Sequence, residues 1–223
     1  MTLEHTGYIE LPAHVKPGGF DHAAVHRATS RLYVAHTAND TLDVMDCASD
    51  HYLRSIPNLI GAAGALVSDE HHLVFTSNRG EDTVGIFSPD DEARPVKVRV
   101  GVRPNGLAYA PARRLLLAAN VGDPAIPGSF TVSIVDVAKR KMIADVPVPG
   151  RTRWTVYDAQ AEVFYVNIAD PAQIIVIEAA NPSQVARAFK IPVPGPHGLD
   201  LDPERRRLFC ACDGKKLDRK SVV

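Results

Sequence analysis

Asp21, Asn105, Arg153 and His197 are four polar residues of unlike chemistry that fall at one phase of the sequence, with Ala63 as the fifth member of the set. A carboxylate, an amide, a guanidinium and an imidazole would suffice for a binding or catalytic site if the fold brought them together. Structural repetition alone does not require such unlike residues, whereas a site needs several distinct groups from different elements. The plain alternative is a wet position that merely tolerates polar side chains. Trp154, the single tryptophan, adjoins Arg153 and could stack on a ligand or pack between elements. One carboxylate, one amide and one imidazole make a poor site for a hard cation and a mediocre one for a transition metal. Cys210 and Cys212, in C-A-C, share one face of a strand but lack the second pair that a zinc site needs. No nucleophile elbow, phosphate loop or dinucleotide fingerprint occurs.

The elements that must position these residues come from an internal repeat. The segment Arg31–Asp46 (RLYVAHTANDTLDVMD) recurs at His72–Ser88, Leu115–Asp136 and Val163–Glu178, and a further copy begins at Arg207. A short stretch precedes each copy, ending at Val25, Val67, Tyr109, Tyr157 and Leu201. The intervals between these anchors are 42, 42, 48 and 44 residues, the longest reflecting an insertion at Gly122–Ser129. The candidate positions all lie four residues before an anchor. Each unit reads as four short strands, in the third copy Gly106–Tyr109, Leu115–Ala119, Phe130–Val135 and Met142–Val146. The strands are apolar almost throughout, as expected when both faces of a sheet are covered. Four strands in about 42 residues fit the blade of a β-propeller better than the coil of a solenoid.

The expected fold is therefore all-β, with four-stranded antiparallel blades at about 20–60, 61–102, 103–151 and 152–196 and a partial blade at 197–223. Gly7–Leu11 (GYIEL) reads as an orphan outer strand. Four and a half blades make an incomplete ring. The core slot occupied by Val44, Ile86, Ile134 and Val176 falls on Lys220 in the fifth copy, beside Arg219, where a buried unpaired lysine would cost on the order of 3 kcal/mol or more. This leads to the expectation of a truncated or frame-disrupted version of a longer protein, with self-association through unpaired blade faces as the other way to complete the ring.

The copies resemble the YVTN-type propeller repeat through YVAH (Tyr33–His36), DTLDVMD (Asp40–Asp46), DTVGIF (Asp82–Phe87) and FTVSIVD (Phe130–Asp136), and the related gluconolactonase-like lactonase propellers. Arg103-Pro104-Asn105-Gly106-Leu107 resembles the segment in which those lactonases use an Asn carbonyl to hold a central divalent cation. The resemblance implies Asn105 and Asp21 as metal ligands, for Ca²⁺ or another divalent ion, and His197 as general base. The site departs from the pattern. His197 stands where a metal-binding Asp is expected, Ala63 offers nothing, and Arg153 would place a positive charge beside the ion. Pro-Asn-Gly is also an ordinary turn sequence. The favoured expectation is a non-catalytic scaffold that binds a small molecule or protein at the channel mouth through Arg153 and Trp154, with a divergent metal-dependent lactonase as the alternative.

A second set, His36, Asn78, Asn120, Asn167 and Cys212, ends the second strands and reads as structural, bonding turn backbone. Bulk properties set the outer limits. Apolar residues at 45% and charged residues at 23% give an ordinary globular balance. A net charge of −1 gives no reason to expect nucleic acid, and no apolar run is long enough to span a membrane. Three cysteines form no disulfide framework, and the first twenty residues contain no secretory signal pattern, so cytoplasm is the default location and export the exception if a leader has been processed.

Overall fold

The computed structural model describes residues 4–214 and 221–222, and its organisation follows the repeat. The first sheet contains β1 (Phe20–His26), β2 (Arg31–His36), β3 (Thr41–Asp46) and β4 (His51–Ile56). The second contains β5 (Ala62–Ser68), β6 (Leu73–Asn78), β7 (Thr83–Ser88) and β8 (Asp91–Arg99). The third contains β9 (Pro104–Ala110), β10 (Leu115–Asn120), β11 (Thr131–Asp136) and β12 (Lys141–Pro147). The fourth contains β13 (Thr152–Asp158), β14 (Val163–Ile168), β15 (Gln173–Glu178) and β16 (Arg187–Lys190). The last contains β17 (Pro196–Asp202), β18 (Arg207–Cys212) and β19 (Ser221–Val222). Strands within each sheet run in sequence order and pair antiparallel, giving four four-stranded blades and one three-stranded blade. The fold is an incomplete β-propeller. Among the described residues no helix is long and apolar enough to cross a membrane.

Each anchor is the sixth of seven residues in its inner strand. Five residues after each anchor the chain turns through a left-handed residue: Ser30, His72, Arg114, Glu162 and Arg206, with φ of 51°, 52°, 51°, 52° and 55°. One backbone solution is thus used in five copies whose side chains differ, a tight loop closed by a left-handed residue. The insertion in the third copy lies between β10 and β11, where Ser129 Oγ accepts from Asp123 N–H and donates to Asp123 O.

Apolar side chains between neighbouring sheets hold the blades together. Tyr33, Ala35, Leu42 and Val44 of the first blade pack on Ala62, Ala65, Val74 and Phe87 of the second. Phe75, Val84 and Ile86 meet Leu107, Leu116 and Val135. Leu115, Leu117, Val132 and Ile134 meet Phe164, Val166, Ile175 and Ile177. A thinner layer joins Ile174 and Ile191 to Leu199, Leu208 and Cys210. Burial pushes the Cys210 thiol up to about 12, so it acts as a small apolar residue.

The polar residues ending the second strands bond within the fold. His36 Nδ1 donates to Asp43 at 2.7 Å, and both side chains are fully buried. Asn78 Nδ2 donates to Thr83, Asn120 Nδ2 to Thr131 and Ser133, and Asn167 Nδ2 to the carbonyls of His197 and Gly198. Gly7–Leu11, expected as an orphan outer strand, joins no sheet among the described residues. Lys220 and Arg219 lie outside the described residues.

Candidate functional site

The inner strands β1, β5, β9, β13 and β17 begin at one end of the propeller axis, and each ladder slips near that end. The register breaks between Phe20 and Ala23, Ala62 and Gly64, Thr152 and Thr155, and Pro196 and Gly198; in the third blade the break falls between Ala118 and Asn120, opposite β9. Such a bulge places an extra residue against its partner strand and re-aims side chains, here at the channel mouth.

A cavity of about 370 Å³ opens at this mouth, lined by His22, Asn105, Arg153, Trp154, His197 and Leu199 among others. Four blades contribute to it, and three of the expected residues, Asn105, Arg153 and His197, share its wall with Trp154. Asp21 is not a lining residue. It sits behind His22, with Oδ1 2.9 Å from His22 Nδ1 and Oδ2 3.1 Å from Arg79 Nη2. Burial raises the Asp21 pKa, but His22 and Arg79 together more than reverse this, so the carboxyl titrates below its ordinary range. Ala63 contributes its carbonyl, 3.1 Å from the same His22 nitrogen. Both neighbours of that nitrogen are acceptors, so Nδ1 carries the proton.

The His22 ring stacks on Trp154 with centroids 3.8 Å apart and planes 26° apart. This contact reaches from the first blade to the fourth. Trp154 also lines a larger cavity of about 660 Å³ towards the far ends of the inner strands, whose walls include Leu66, Leu107, Tyr109, Tyr157 and Leu201. The indole therefore borders both a polar mouth and an apolar chamber.

Two polar atoms of the residues lining this cavity are buried without a protein partner among the described residues: Asn105 Oδ1, an acceptor, and Arg153 Nε, a donor. Such groups cost free energy unless water or a ligand satisfies them. Asn105 is anchored by its backbone, whose carbonyl accepts from Ser77 Oγ at 2.7 Å. His197 Nδ1 lies 2.9 Å from the carboxylate of Asp213, which is also 3.8 Å from Arg153 Nη2. The Asp213 carboxylate fixes the orientation of the His197 ring through Nδ1.

His22 and Asp213 are absent from the sequence-based set. Asp213 could have been found, because it stands twelve residues after its anchor, as Arg79 does, where other copies have Thr37 and Val121. His22 neighbours the selected phase, and only its stacking on Trp154 and the pairing of Asp21 with Arg79 show which of the two lines the cavity. Among the described residues no group of three or more His, Cys, Asp or Glu side chains is placed to hold a metal ion.

The fold and its cavity define an incomplete β-propeller with a polar pocket at one channel mouth. No protein-family model matches the chain, and no curated protein matches it. Among solved structures it is similar to Kuenenia stuttgartiensis Hydrazine Synthase, a β-propeller-containing protein, with a TM-score of 0.78 at 13% identity. The similarity covers 92% of this chain and 59% of that one, so this chain spans about three-fifths of that structure's length. At this identity the likeness shows the fold alone.

Proposed function

We propose that the chain is a propeller scaffold that binds a small molecule at the channel mouth without transforming it. The observation that carries this reading is the cavity of about 370 Å³, which gathers His22, Asn105, Arg153, Trp154 and His197 from four blades. Its size is that of a small-ligand pocket, and it combines an aromatic face with a few convergent polar groups. A recess of this kind suits a solute better than the broad surface of a protein partner. Because Trp154 is the only tryptophan, its emission reports the pocket directly. A panel of neutral, cationic and anionic metabolite-sized compounds should contain members that change this emission saturably and raise the melting temperature. If no compound in the panel does either, the reading fails.

A metal-dependent lactonase is the second reading, favoured by one observation: Asp213 orients His197 as it would orient a general base. The remaining donors do not fit a hard cation. Asp21 already serves His22 and Arg79, and Arg153 shares the wall with Asn105. Metal analysis and lactone hydrolysis with and without EDTA, on wild type and Asn105→Ala, separate the two. Metal-dependent turnover that is lost in the variant would replace the binding reading with the enzymatic one.

A further inference from the structure

The charge around this mouth points to the ligand's chemistry. Four arginines, Arg79, Arg103, Arg151 and Arg153, lie at the same end of the inner strands. Arg79 follows β6 and its N–H bonds the Gly61 carbonyl; Arg103 and Arg151 precede β9 and β13; Arg153 lies on β13. Their ion pairs are few. Arg79 holds Asp21, and Arg153 stands 3.8 Å from Asp213, which is shared with His197. Among the described residues neither Arg103 nor Arg151 has an ion-pair partner. Burial, followed by repulsion from Arg153, Arg103 and Arg79, lowers the Arg151 pKa, as expected for guanidinium groups crowded on one rim.

The backbone at Arg103 follows a turn that recurs in other copies. The position of Arg103, six residues before its anchor, is Gly61 in the second copy and Gly195 in the fifth. All three adopt left-handed φ, at 57°, 65° and 70°. A long side chain at a place that favours glycine costs about 1 kcal/mol. The Arg103 backbone N–H donates to Asp82 Oδ1 at 2.9 Å, and among the described residues its guanidinium has no hydrogen-bond or ion-pair partner.

We infer that the pocket takes a small organic anion, one carrying a carboxylate or phosphate for the arginines and a hydroxyl for the orphan Asn105 Oδ1. This rests on the binding reading above and narrows it. Arg153 Nε, buried and unpartnered, is the donor at the cavity wall, and a charge-assisted hydrogen bond to an anion would satisfy it. Arg103, Arg151 and Arg79 supply the surrounding positive field, which attracts the anion and weakens with salt. Asn105 Oδ1 can accept only from a donor, so an anion that also bears a hydroxyl satisfies both orphans at once.

The test is a Trp154 fluorescence titration with citrate, with glycerol 3-phosphate, with tricarballylate (citrate lacking its hydroxyl) and with neutral triethyl citrate. Saturable binding of citrate or glycerol phosphate is expected, and the tighter of the two assigns the anionic group. Tricarballylate should bind more weakly than citrate, and Asn105→Ala should abolish that difference. Arg153→Gln should weaken anion binding roughly tenfold or more. Arg103→Gly removes a charge and gives the backbone the residue other copies use, so it should weaken binding without lowering the melting temperature. Binding of neutral compounds but of no anion would overturn this inference and leave the pocket reading standing. Anion binding of unchanged affinity in both arginine variants would also overturn it. Silence from every compound would overturn the anion inference and leave the pocket reading to the broader panel above.

Discussion

Asp158 shows how one buried charge is kept. The side chain is fully buried at the end of β13, yet its oxygens lie 2.9 Å and 2.7 Å from the Arg206 guanidinium, and Oδ1 also accepts from the N–H groups of Gln160 and Ala161. The Arg206 hydrogen bond, against the opposing effect of burial, holds the Asp158 carboxyl below its ordinary pKa. A carboxyl whose folded pKa is depressed stabilises the fold above its unfolded value of about 4, and that contribution disappears as pH falls through the folded value. Arg206→Gln should therefore destabilise the fold near neutral pH and lower the urea midpoint. The loss sits below the full penalty for a broken buried pair because Arg206 is itself partly exposed. Urea midpoints measured from pH 7 down to pH 3 should converge for variant and wild type. A gap that stays constant across this range would mean that packing, not the charge pair, accounts for the loss.

At the scale of elements, Glu92 of β8 clasps the first two blades together. It is almost fully buried, accepts from Tyr33 Oη at 2.8 Å and from Arg31 at 3.1 Å, and pairs with Arg54. Burial, and then the Glu92 carboxylate, push the Tyr33 pKa well above its usual value, so the phenol remains a donor. Glu92→Ala leaves two guanidiniums and a hydroxyl without their shared acceptor, and should cost about 3 kcal/mol in thermal or urea unfolding. Tyr33→Phe should cost much less in the Glu92→Ala background than in wild type; additive losses would show that the clasp is not one unit. Blades of this kind are legible in sequence because period and register are set locally: Val25, Val67, Tyr109, Tyr157 and Leu201 take one place in five strands, and five unlike residues take one left-handed turn. Asn105, Arg153 and His197 were legible as departures from that period, and Trp154 as the single tryptophan beside Arg153. The remainder of the pocket depends on contacts between blades. A period of 42 identifies Asp21 and His22 as neighbours, but only the structure shows Asp21 paired with Arg79 and His22 in the wall against Trp154. Glu92 was invisible because its partners are 59 and 61 residues away on another blade.

For the whole molecule, the apolar layers join each blade to the next along an arc, and none of them joins the first blade to the fifth among the described residues. Stability in such a stack is approximately a sum over neighbouring interfaces, so it need not be uniform. The layer between the third and fourth blades contains thirteen buried apolar residues, whereas the described residues between the fourth and fifth supply five. The end blades also expose large apolar side chains, with Val25 46% and Phe209 38% exposed. Native-state hydrogen exchange should follow this gradient, with amides of β10 and β14 exchanging slowest and those of β17 and β18 fastest. Apolar exposure at both ends gives the gradient a second, concentration-dependent feature. If two arcs cover each other's end faces, protection in the first and fifth blades rises with protein concentration while that of the third stays fixed. A gradient that ignores concentration identifies a monomeric arc with frayed ends. Uniform protection at every concentration would refute the linear stack, because it requires one cooperative unit that the uneven layers between these blades do not provide.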